Sequence, residues 1–395
     1  MLKKSIFVLF LISIFMGSNL FAQDNSNTIN FLKGNISDKT TAVKNASGDE
    51  AKALTNMAIE FSLENKEILG NDRELDTLLV AAILTISNDY AKNADDDQKK
   101  ALSSQLNQIY SEFNDSSTVE IALLNKVVSL KDILSLDEII TSINTKIKNE
   151  DLDTIDSSLV KTTFSSLEKI GNTETFIILY YFYVYNKYPK YTAEIENTLI
   201  ALVPDALNEV FAFIKEANFD QLRLIYNLLT KSSKISKNNL CIISENVLNR
   251  SILLIGDSST VSKEDIEFQM LAVKTLAENK WTRASAVLLS YFQISKDLYK
   301  SSVMTEEQFT SVIESLSSIT PLDAVTPLTA YLEDLNNQME EGNLVSSQVL
   351  LSVIKTLGAI GDKAAFDSLL AVTYLPYEES VLSAAREALS GLRWQ

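Results

Sequence analysis

LSVIKTLGAIGDKAAFDSLLAVTYLPYEESVLSAAREALSGL, residues 351–392, reads as helix, one-glycine turn, helix, short loop, helix. In and just before its first helix, Leu350, Val353, Ile354, Leu357 and Ile360 recur at three- and four-residue steps and form one apolar stripe. Gly361 falls where the helix must end with a positive φ, and Asp362 is placed to cap the helix that follows. There Ala365, Phe366, Leu369 and Leu370 form the facing stripe, with Lys363, Asp367 and Ser368 directed elsewhere. Two such helices cannot bury both stripes alone, so neighbouring units are expected to stack into a shared core.

A second copy lies upstream as SVIESLSSITPLDAVTPLTAYLED, residues 311–334. Val312 and Val353 are 41 residues apart, and the same step carries Ile313 onto Ile354, Leu316 onto Leu357, Ile319 onto Ile360, Ala324 onto Ala365 and Leu328 onto Leu369. A fixed period of this size is the mark of a helical-pair solenoid. Two further copies share the register. SSLEKIGNTETFIILYY, 165–181, sets Leu167 on Leu357 and Gly171 on Gly361 at a step of 190. AVKTLAENKWTRASAVLLSYF, 272–292, sets Leu276 on Leu357 at a step of 81, with Asn279 and Lys280 in place of the Ile-Gly of the turn, which is therefore expected to be altered.

The motifs TLGAIGD at 356–362, AVTPLTAYL at 324–332 and SAAREALSGL at 383–392 resemble the bacterial type of HEAT repeat, an armadillo-like family. The resemblance implies an all-α fold, an α-α superhelix that binds other macromolecules, usually without catalysis; the length after residue 22 allows roughly eight to nine helical pairs. The family motif contains packing and turn positions only, so it carries over no catalytic residue.

Residues 1–22 have a basic start at Lys3 and Lys4, an apolar run from Ile6 to Met16 and a small-residue end at Ala22. That pattern predicts a cleavable secretory signal peptide, because the apolar run is too short for the ~20 residues of a membrane-spanning helix. The expected location is periplasmic or otherwise extracytoplasmic, with no integral membrane segment after cleavage. Residues 23–49, rich in Asn, Ser, Thr and Asp, read as a polar, mobile leader or an imperfect first unit. From residue 50 to 395 the helical spacing is nearly continuous, with Gly70, Asn71 and Asp72 forming one stop and cap.

Cys241 is the sole cysteine, so no disulfide can close within the chain, and a 46% hydrophobic composition must supply the core. The apolar context of Cys241 predicts a packing thiol. The net charge of −17 disfavours nucleic acid, whose phosphates need a positive surface, and favours a protein partner with a basic surface.

Histidine is absent, which removes every Ser-His-Asp or Cys-His arrangement and every histidine-ligated metal. No phosphate-binding or dinucleotide-binding glycine pattern is present either, so no cofactor is expected. Paired carboxylates remain as a chemical route, with Glu314, Glu333, Glu378 and Glu379 as candidates on repeating helices. Two acidic clusters, 95–97 and Asp151-Asp153-Asp156, are better placed as helix caps than as calcium loops, since Ile155 holds the fifth loop position and glycine is missing from the sixth.

The aromatic run FIILYYFYVY, 176–185, followed by Tyr188 and Tyr191, is too short to span a membrane. Phe176, Ile177, Leu179 and Tyr183 are expected to serve the core, leaving Tyr181, Tyr185 and Tyr188 to line a partner-binding groove. The expected function is thus a non-catalytic extracytoplasmic scaffold or adaptor for another envelope or secreted protein. A carboxylate-dependent glycan-acting enzyme and a self-assembling part of an envelope machine are the alternatives left open by the residues.

Overall fold

The computed structural model describes residues 26–393 except 234 and 258–260. The signal peptide read at 1–22 lies outside the described residues. Twenty-one α-helices and four short 3₁₀ turns make up the described chain, which is all-α. They fall into two compact units, one ending at Ile170 and the other beginning at Gly171.

The first unit holds α1 (Ser26–Lys33), α2 (Ile36–Asn45), α3 (Gly48–Leu69), α4 (Arg73–Thr85), α5 (Asn88–Asn93), α6 (Asp96–Glu112), α7 (Ser117–Ser129), α8 (Asp137–Asn149) and α9 (Ser157–Ile170). Helices α2, α4, α7 and α9 pack in succession as one layer, and α3, α6 and α8 as the other. Within the segment read as a leader, the described residues from 26 onward form two helices, α1 and α2, that pack on each other. Asn35 and Asp38 close a capping box at the start of α2, and Phe31, Ala42 and Val43 are buried. Apolar residues three or four apart, few as they are, suffice once a neighbouring helix covers them. Gly70 ends α3 at φ +59, and the Asp72 carboxylate accepts from the backbone N–H groups of Glu74 and Leu75, as the sequence suggested.

The second unit holds α10 (Thr173–Val184), α11 (Thr192–Leu202), α12 (Leu207–Glu216), α13 (Phe219–Thr230), α14 (Lys237–Asp257), α15 (Lys263–Glu278), α16 (Ser285–Lys300), α17 (Glu306–Ile319), α18 (Val325–Glu340), α19 (Ser347–Ile360), α20 (Phe366–Val372) and α21 (Glu379–Ser390). Alternate helices α11, α13, α15, α17, α19 and α21 follow one another as a layer, and each pair partner packs against its mate. That is the solenoid arrangement the period predicts. Leu276, Leu316 and Leu357, the matched positions of three copies, are all 0% exposed.

At the turn that defined the period, Gly361 stands at φ +72, and the Asp362 side chain accepts from the Ala364 N–H. Gly358 serves packing instead, since a Cβ there would come 2.9 Å from the Cβ of Ala388 on α21. One expectation is corrected here. Ser368 is buried, donating its hydroxyl to Glu333 at 2.8 Å while its carbonyl accepts from the Asn336 amide. A small hydroxyl is tolerated in this interface because it brings its own partner.

In the copy at 272–292 the turn is altered in its bonding, with no side-chain cap at Trp281 where Asp362 provides one, but its backbone path is kept. A 3₁₀ turn follows at Thr282–Ala284 as it does at Lys363–Ala365, and Lys280 adopts φ +49 at the place of Gly361. The Trp281 N–H closes the turn on the Leu276 carbonyl at 3.0 Å. Neighbouring helices fix the backbone path, and a lysine there must accept a conformation costing roughly 1–2 kcal/mol for a residue with a Cβ. Replacing Lys280 by Gly is expected to raise stability by about 0.5–1 kcal/mol, the relief exceeding the extra chain entropy glycine brings to the unfolded state. Urea denaturation midpoints measure it; a drop in midpoint would show that the lysine side chain contributes more than its backbone costs.

Candidate protein-binding surface

Helix α10 begins where Asn172 and Thr175 form a reciprocal capping box. Apolar on nearly every face, it divides its aromatic residues between core and solvent. Phe176, Ile178, Leu179, Tyr180 and Phe182 are buried, while Ile177 and Tyr183 are half-buried, so the core face is rotated slightly from the one the spacing suggested.

Tyr181 and Tyr185 lie one turn apart and project outward, 48% and 68% exposed. Their rings stack in parallel, with centroids 6.2 Å apart and planes inclined by 4°. Beneath them Tyr180 stacks on Phe213 of α12 at 3.9 Å and 11°, and Tyr181 meets the same Phe213 edge-on at 5.9 Å. Phe176 extends this base, 6.3 Å from Phe213. Burial, and after it the neighbouring Tyr181 and Tyr185, pushes the Tyr180 phenol up to about 12. The exposed pair therefore rests on an aromatic layer of buried Phe176 and Tyr180 and half-buried Phe213 that restricts its rotamers, which would lower the entropy lost on any contact made there.

Tyr188 does not join this surface. It is 3% exposed, packed edge-on against Phe182 at 5.0 Å, with the Lys187 ammonium over both rings. The chain reverses at Asn186, φ +47, and the Lys187 N–H bonds back to the Phe182 carbonyl, so Tyr188 is folded beneath the end of its own helix. Tyr183 donates to Glu196, which also holds Lys231 at 2.7 Å. Burial, reinforced by Glu196, raises the Tyr183 phenol to about 12. Phe213 is the member of the cluster that sequence reading missed, because its partners come from another helix.

The carboxylate candidates are dispersed. Glu333 accepts from Ser368, Glu379 pairs with Arg386 at 2.8 Å, and Glu314 and Glu378 are exposed. The acidic clusters serve as caps: Asp95 shares a capping box with Gln98, and Asp156 accepts from the N–H groups of Ser158 and Leu159. Among the described residues, no three Asp, Glu or Cys side chains come together as metal ligands would. Cys241 is 1% exposed, and burial pushes its thiol up, away from the reactive thiolate. Among the described residues no single helix is long and apolar enough to cross a membrane. Compared with models of protein families, with curated proteins and with solved structures, the chain matches none.

Proposed function

We propose that the chain is a non-catalytic scaffold that holds another envelope or secreted protein outside the cytoplasm, with Tyr181 and Tyr185 as its anchor. The observation that carries this reading is the stacked, solvent-facing tyrosine pair set on the Tyr180–Phe213 layer. Aromatic side chains with one apolar face and one polar tip are over-represented among binding hot spots, and a rigid pair presents that area at little entropic cost. The lack of histidine supports a non-catalytic role, and the secretory pattern of residues 1–22 supports the location. The HEAT-like turn motif supports the same class.

Affinity capture of the mature chain, expressed with its own leader in its native host, tests the reading. Tyr181→Ala combined with Tyr185→Ala is expected to lower the yield of the captured protein at least about tenfold, since each truncated anchor costs roughly 1–2 kcal/mol or more. The melting temperature should stay within a degree or two, because both side chains are exposed. Unchanged yield from the folded double variant would reject the tyrosines as the anchor, and glycan cleavage by the purified chain would reject the non-catalytic class.

A further inference from the structure

Between α15 and α17 the second unit carries a groove of about 820 Å³. Its origin lies in the two facing stripes. On α17 the residues at 311, 315 and 318 are serines, each donating its hydroxyl to a carbonyl of its own helix, so this wall is low and has its donors occupied. Across from it α15 presents Met270, Leu271 and Ala277, and Leu271 is 37% exposed. An apolar floor is thus left uncovered where a larger residue on α17 would have filled it.

The rim has a single dominant sign. Glu267 and Glu278 stand on the α15 side, Glu307 and Glu314 on the α17 side, and all four are exposed. Lys274 is the cation lining the groove, 3.9 Å from Glu278. Exposed carboxylates of this kind lack the burial that would raise one of them into a general acid, so recognition fits them better than glycan chemistry. They would repel phosphates, and a second copy of a chain at net −17 would meet them with the same sign.

We propose that this groove docks one basic amphipathic helix of a protein partner. Its apolar residues, spaced three and four apart, would enter between the Met270–Leu271 floor and the serine wall, and its lysines or arginines would face the four glutamates. The inference shares the protein-binding reading above but not the tyrosine platform, so either site can fail without the other.

The test uses the full mature chain and a fluorescein-labelled helical peptide with one leucine face and one lysine face, read by fluorescence anisotropy. Leu271→Ser, and separately Glu267→Lys with Glu314→Lys, are each expected to weaken binding about tenfold. Raised salt should weaken it as well, since the rim charges are solvent-exposed. Glu378→Lys with Glu379→Lys, a reversal of equal size on α21 and its cap, should change it less than about twofold. Three results would overturn the proposal: no binding by the unaltered chain, equal binding of the same peptide with glutamates for lysines, or equal weakening by the α21 reversal. A fourth would be loss on replacing Tyr181 and Tyr185 with retention in the groove variants, which would assign the peptide to the tyrosine platform. Circular dichroism melts of Leu271→Ser and the double reversal confirm that any loss is not unfolding.

Discussion

Replacing Glu120 by Ala is expected to destabilise the first unit by about 3–5 kcal/mol, a large part of a typical domain's stability. Glu120 on α7 is 2% exposed, and both its oxygens accept from the Lys146 ammonium of α8 at 2.7 Å. Lys146 also donates to the Asn114 carbonyl at 3.3 Å and lies over the Tyr110 ring. Removing the carboxylate strands an ammonium whose side chain is only 12% exposed. The pair itself need not be a net gain. Burial raises the Glu120 carboxyl above its ordinary value, Lys146 opposes that rise, and Glu150 and Asp115 add to it. Desolvation thus outweighs what the lysine returns, and a Glu120→Met, Lys146→Met double variant should recover most of the loss. Urea denaturation of the three variants measures this. A loss under about 1 kcal/mol for Glu120→Ala would mean that water reaches Lys146.

The same group sets a pH dependence. A carboxyl whose folded pKa is raised keeps its proton at pH values where the unfolded chain has released it. Stability owed to Glu120 is therefore fully present below the unfolded pKa and is lost as pH rises through the raised folded one. The stability of the unaltered chain minus that of Glu120→Gln should accordingly fall across that window. A rise would mean that Lys146 wins over burial.

Leu357→Ala is expected to cost about 2–5 kcal/mol. Leu357 is 0% exposed on α19, a helix that packs against both α17 and α21. Truncation opens a cavity that the close approach of Gly358 to Ala388 leaves little freedom to collapse. Leu351 on the same helix is half-buried, so Leu351→Ala should cost clearly less. In a stack whose units touch only their neighbours, the loss should appear first as faster amide hydrogen exchange in α17–α21, with the first unit unaffected. Equal acceleration in both units would show that they unfold as one.

Fold class was legible because a repeat writes its packing several times. Val312, Ile313 and Leu316 are buried at 0% alongside Val353, Ile354 and Leu357, as a step of 41 residues requires. Helix starts are marked by side-chain chemistry and not by the spacing of apolar residues. The marks are capping boxes such as Asp95-x-x-Gln98, Asn218-x-x-Gln221, Ser262-x-x-Asp265 and Thr305-x-x-Gln308, a signal present in the sequence. Two readings failed for different reasons: Tyr188 is placed by the local reversal at Asn186, which folds it under its own helix, and Ser368 by a carboxylate on another helix, α18; helical spacing shows neither.

The candidate surface was half legible. Tyr181 and Tyr185 follow from an aromatic helix with more rings than one core face can take. Phe213, which rigidifies them, comes from α12, 28 residues beyond Tyr185, and no local pattern announces it. The groove between α15 and α17 arises from small side chains, the serines at 311, 315 and 318, and shows only when the facing helix is known.

The most direct measurement is photo-crosslinking in the native host, with benzoylphenylalanine at position 185 and, as a control on exposed surface of the same unit, at position 367. A discrete adduct with one other polypeptide from position 185, absent from position 367, is the result expected of a scaffold that holds its partner on the tyrosine pair. No adduct at 185, the same diffuse products from both positions, or an adduct made only of two copies of this chain would contradict it.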